Sequence, residues 1–166
     1  MMDKTNVRNR NNGFRRLRII SGINGWSILI TALLCTGISL IFHSWSGIVV
    51  GLGIIASGGM EIEGSRRVKK GLPNPWWWLG NSQILFFIVI TIYSFYQLGQ
   101  ISPDSISEHI PVPIQNAFRL ELGILQKDFE IVVAKLYRTT YIAVILCSFL
   151  YQGGLYLYYK KASYKN

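Results

Sequence analysis

The sequence predicts an all-α fold: an integral membrane, up-down four-helix bundle whose long fourth helix extends outside the bilayer. Three observations predict it. Half of the 166 residues are hydrophobic and only 15% are charged, too few to coat every surface element of a soluble domain. The charges are also segregated: no Asp, Glu, Lys or Arg occurs from Ile19 to Met60, from Gly71 to Pro103 or from Thr139 to Tyr159. An uncharged apolar run of about 18 residues or more reads as a membrane span, and the first run is about twice that length, so it holds a hairpin. Finally, the basic residues sit beside the ends of these runs, which favours membrane orientation over nucleic-acid binding as the reason for a net charge of +9.

The chain divides accordingly. Residues 1–22 form a basic leader. Residues 23–62 form a helical hairpin of two spans, Ile23 to Phe42 and Trp45 to Ile62, joined by a turn at His43 and Ser44. A basic loop over 63–76 leads to a third span, 77–98. Residues 99–136 form an extracytoplasmic loop and an amphipathic helix, followed by the fourth span, 137–159, and a tail, 160–166. The leader, the basic loop and the tail carry thirteen Lys and Arg, against four in the remaining connections. That imbalance places both termini in the cytoplasm, at a plasma membrane or bacterial inner membrane. The basic leader and first apolar run could make a signal peptide, but the run is long and no Ala-x-Ala site follows, so it reads as an uncleaved span.

Aromatic residues mark the same borders. Trp76, Trp77 and Trp78 open the third span, and Tyr156, Tyr158 and Tyr159 close the fourth, where amphipathic rings suit the headgroup level. The connection before the fourth span begins with a stretch, 101–113, that contains three prolines. Beyond it Ile114, Phe118, Leu122, Leu125, Phe129, Val132 and Leu136 recur at helical spacing. A helix running unbroken from Ile114 to Tyr159 would be about 69 Å long.

Two groups of residues stand out. The first is a helix-packing face: Ser27, Thr31, Cys35 and Ser39 at four-residue spacing in the first span, opposite Gly47, Gly51 and Gly58 in the second. Small residues let helices approach closely, either within the hairpin or across a homodimer seam. The second is a polar patch near the cytoplasmic face: Glu61, Asn81, Gln83 and Gln152. Gln83 and Gln152 lie about 10 Å inside their spans by helical rise, at matching depth, and are expected to hydrogen-bond to each other. Glu61, at the end of the second span, reads as a solvated helix terminus, and Glu63 precedes Arg67 by the four residues that suit a helical ion pair.

Cys35 and Cys147 lie in apolar runs and read as small buried packing residues. Neither their spacing nor that of His43 and His109 forms a metal-ligand pattern, and no phosphate-cradling or nucleophile motif is present, so no metal, cofactor or catalytic residue is expected. The expected partners are the bilayer, with anionic lipids at the basic face at about 1 kcal/mol per cation, and a second copy or another membrane protein. Two functions fit: a non-enzymatic assembly, scaffold or regulatory subunit, or an oligomeric transporter or channel for a small solute or ion that uses the polar patch. An intramembrane enzyme has the least support, because transport and catalysis usually need central ionisable residues.

Overall fold

The computed structural model describes residues 4–100, 112–113, 116–117, 120, 123 and 126–163, with side chains described from Arg15 in the first helix and over 128–162 in the last. Among the described residues four long helices pack against each other: α1 (Lys4–Ile41), α2 (Trp45–Lys70), α3 (Pro75–Gly99) and α4 (Gln126–Ser163). Each contains a stretch long and apolar enough to cross a membrane.

The helix ends follow from local chemistry. His43 takes a left-handed φ of 53°, and the N–H groups of His43 and Ser44 reach back to the carbonyls of Leu40 and Ser39 at 3.1 and 2.9 Å. These two bonds close α1 as a Schellman turn. Ser44 then caps α2, its Oγ accepting from Gly47 N at 3.4 Å. At the other end of α2, Gly71 at φ 64° lets Leu72 N–H bond to the Arg67 carbonyl at 3.0 Å, and Pro75 opens α3 at the position where its missing N–H costs nothing.

Three boundaries differ from the sequence reading. The leader is not a separate element: α1 runs through it, and Leu17 and Ser21 are buried. The basic loop 63–76 is helical as far as Lys70, because nothing before Gly71 breaks the helix. The fourth helix is continuous from Gln126 rather than from Ile114, and Gly123 just before it has a left-handed φ of 61°. The proline-containing stretch up to residue 111, and Ile114, Phe118, Leu122 and Leu125 of the amphipathic stripe, lie outside the described residues; Val112 and Pro113 are helical.

The chain forms two compact units, 1–90 with 148–166, and 91–147. In the first, α1 and α2 pack as an antiparallel hairpin. The glycines of α2 are where the backbones approach: a Cβ on Gly47 would meet Ser39, one on Gly51 would meet Thr36, and one on Gly58 would meet Ile28 and the backbone of Gly25 and Leu29. The face on α1 therefore differs from the expected row. Ser39 belongs to it, but Ser27, Thr31 and Cys35 are exposed. The reason is geometric: four-residue steps overshoot a turn by about 40° each, so a strict row drifts by about 120° from Ser27 to Ser39. The residues that meet α2, among them Gly22, Gly25, Ile28, Leu29, Thr36 and Ser39, do not follow a strict four-residue step and stay on one side. Cys147, like Cys35, is exposed rather than buried.

On its other side α2 meets α3, where Gly53 faces Val89 and Gly64 faces Leu79. The helix α4 joins through Tyr156 over Gly80, Phe149 beside Phe87 at 5.8 Å, and a buried cluster of Leu17, Leu79 and Tyr159 flanked by Val68, Trp76, Leu155 and Ala162. In the second unit, Gln97 links two tyrosines: its amide donates to Tyr93 Oη at 2.9 Å and accepts from Tyr137 Oη at 3.0 Å. Tyr141 packs on both rings.

Candidate functional site: a buried carboxylate centre

Glu61 sits on α2 sixteen residues after Trp45 and nine before Lys70, about 24 Å and about 13 Å from the two ends by helical rise. It is 0% exposed. This corrects the expectation of a solvated helix terminus. Charges resume at Glu61, which is why composition ends the span near Ile62, but the helix continues for two more turns and carries Glu61 inside the bundle.

Each of α1, α3 and α4 supplies a hydrogen-bond donor to it. Asn24 of α1 directs Nδ2 at both carboxylate oxygens, 2.8 Å from each. Gln83 of α3, 1% exposed, donates from Nε2 to Oε2 at 2.9 Å. Tyr159 of α4, also 1% exposed, donates its hydroxyl to Oε1 at 2.5 Å, within the short range expected for a hydroxyl on a charged oxygen. Outside this shell, Tyr151 donates to Asn24 Oδ1 at 2.7 Å and fixes which way the Asn24 amide faces. Gln83 Nε2 also lies 3.0 Å from Ser82 Oγ, and Ser57 Oγ donates to the Ser82 carbonyl at 2.8 Å. Among the described residues no ion pair reaches Glu61. Its neighbour Glu63 makes the expected helical pair with Arg67 at 3.0 Å, and Arg67 also lies 5.0 Å over the Trp78 ring.

Of the four residues expected in the polar patch, the structure brings two together, Glu61 and Gln83. Asn81 is half-buried and takes no part in the shell. Gln152 is buried, but its Oε1 has no partner and it does not pair with Gln83, whose own Oε1 is likewise unpartnered. Asn24, Tyr151 and Tyr159 are the residues that sequence reasoning missed. Asn24 carried a signal: it is the one amide within an apolar run that begins at Ile19. Tyr159 did not, because a ring at a span end reads equally well as an interface anchor, and Tyr151, next to Gln152 well inside the span, belongs to no pattern that ties it to Asn24.

Chemically the centre is a carboxylate whose four lone-pair directions are filled by neutral donors. Such a shell can hold a negative charge out of water, yet it supplies dipoles and no compensating positive charge. Comparison of the chain with protein-family models, with curated proteins and with solved structures finds no match. The fold and the site thus define a class, a four-helix protein with four apolar candidate spans and a buried carboxylate at their convergence.

Proposed function

We propose that this chain is an integral membrane protein that crosses a bilayer four times with both termini in the cytoplasm, and that it is a cation-coupled transport protein in which Glu61 exchanges the cation. The observation that carries this reading is a fully buried carboxylate, hydrogen-bonded from α1, α3 and α4, that no ion pair reaches among the described residues. Ionisable side chains within spans are costly and mark ion pathways more often than scaffolds. The thirteen-to-four distribution of Lys and Arg supports the orientation. By helical rise, the 38 residues of α4 amount to about 57 Å, against a hydrocarbon layer of about 30 Å, so one end of α4 stands outside it.

A second reading, a non-enzymatic assembly or regulatory subunit, is favoured by α4, the least buried of the four spans. It ranks second because lipid covers an apolar helix as well as a partner does, and because the glycines on which a partner seam would rest face α1 and α3 instead. Reconstitution separates the two. The transport reading expects a cation flux into liposomes that Glu61→Gln abolishes at unchanged folding yield. A protein that purifies as a stoichiometric complex with another membrane protein, and shows no flux alone or in that complex, refutes it in favour of the subunit.

A further inference from the structure

The chemistry of the groups around Glu61 discriminates between cations. A metal ion needs several oxygen lone pairs converging on one point. Around Glu61 the two amides present N–H instead, at 2.8 and 2.9 Å. Turning the Asn24 amide over would break the bond that Tyr151 makes to Oδ1. A proton has simpler requirements: one carboxylate lone pair and one neighbour able to accept a hydrogen bond afterwards. An amide N–H cannot switch from donor to acceptor, whereas a tyrosine hydroxyl can. Tyr159 is the one hydroxyl in the shell, and its Oη already lies 2.5 Å from Oε1.

The geometry points to a proton as the cation that Glu61 exchanges, bound at Oε1 and accommodated by reversal of the Tyr159 hydrogen bond. This rests on the transport reading above. In the step, an incoming proton forms the Oε1–H bond, which then donates to Tyr159 Oη. The Tyr159 O–H bond stays intact and only rotates, no other covalent bond changes, and the centre becomes neutral. The groups facing Glu61 are Asn24 from α1, Gln83 from α3 and Tyr159 from α4, with Tyr151 behind Asn24; the nearest charged residue along α2 is Glu63 in its pair with Arg67. Tyr159 is thus a positioning residue for the proton and Tyr151 one for Asn24.

The test uses the full chain in lipid nanodiscs and the apolar reagent dicyclohexylcarbodiimide. The reagent adds to a protonated carboxyl: the carboxyl oxygen bonds to its central carbon, the acid proton passes to nitrogen, and the product keeps the whole reagent mass. The expected result is labelling at Glu61 that rises as pH falls and is the same in sodium, potassium and choline chloride. In Tyr159→Phe the pH of half-labelling moves by about one unit or more, a tenfold change in proton affinity, while Tyr156→Phe leaves it in place. Infrared difference spectra between the two ends of the pH range carry a protonated-carboxyl band that Glu61→Gln removes. Protection of Glu61 by sodium or potassium at fixed pH overturns the proton assignment and leaves the transport reading standing. Absence of both label and band, with no cation flux in liposomes, overturns both.

Discussion

Alanine substitutions along α2 turn the backbone approach into a graded prediction. At Gly51 a new Cβ would lie 1.9 Å from Thr36 Oγ1, 3.0 Å from Thr36 Cβ and 3.4 Å from Thr36 Cα. Thr36 cannot simply swing away, since it is buried and its Oγ1 is bonded to the Ala32 carbonyl at 2.7 Å. The helices must separate, and overpacking of this kind costs about 1–3 kcal/mol. Replacing glycine inside a helix returns about 1 kcal/mol. Gly51→Ala is therefore expected to lose between about 0 and about 2 kcal/mol, the difference of those two terms. At Gly58 the nearest atoms are at 3.2 and 3.3 Å and two of the three are backbone, so α1 must give by a few tenths of an ångström, and Gly58→Ala should fall between Gly51→Ala and Gly59→Ala. At Gly59 nothing lies within 4 Å, and Gly59→Ala should gain up to about 1 kcal/mol. Reversible unfolding in mixed micelles, followed by far-UV circular dichroism, reads all three. The reasoning fails if Gly51→Ala is as stable as Gly59→Ala, because the α1–α2 seam would then not pass through Gly51.

Three further outcomes follow from other contacts. Gln83→Leu combined with Glu61→Leu should be non-additive by about 1 kcal/mol or more in the same unfolding assay, since each removes the other's partner, whereas Gln83→Leu with Gln152→Leu should add; the opposite pattern would restore the glutamine pair. Cys35 and Cys147, exposed on apolar helices, should react in intact liposomes with an apolar maleimide and resist a charged methanethiosulfonate; equal reaction with both reagents would place these faces in water. Reporters fused after Lys161 and inserted at His43 should report opposite sides of the membrane, cytoplasmic and external; the same side for both would break the four-span topology.

Element type was legible in the sequence because it depends on long-range composition: uncharged runs of this length have one stable form in hydrocarbon, and that form is helical. The hairpin turn at His43 and Ser44 was legible for the same reason. Rotation about each helix axis was not. The row Ser27, Thr31, Cys35 and Ser39 is regular in sequence, yet only Ser39 reaches the seam, because the face a helix buries is selected by all its neighbours rather than by one repeating interval. Glu61 illustrates a related limit. Charge begins at that residue, and a reading by composition ends the span there; packing against Asn24, Gln83 and Tyr159 extends the interior past it. Those partners lie 37, 22 and 98 residues away in the chain, and no local pattern encodes such separations.

The arrangement around the centre also bears on how a proton would reach it. Leu17, Val68, Trp76, Leu79 and Ala162 cluster with Tyr159. Along α1 Leu17 lies between Asn24 and the pair Arg15 and Arg16, and along α2 Val68 lies between Glu61 and the pair Lys69 and Lys70, whereas Lys160 and Lys161 directly follow Tyr159. The apolar cluster thus packs on the side of Glu61 that faces the basic end, the nearer end along α2. The hydrogen-bonded chain Tyr151–Asn24–Glu61–Tyr159 has one exposed member, Tyr151, at 54%. Its hydroxyl reaches Glu61 only through the Asn24 amide, which holds its orientation as long as Tyr151 donates to it. Two rearrangements of these groups would uncover Glu61: parting the Leu17–Leu79–Tyr159 cluster, or turning Tyr151 away from Asn24. The first requires opening packed apolar surface, while the second requires turning one phenol and one amide. The second is the smaller rearrangement of the two.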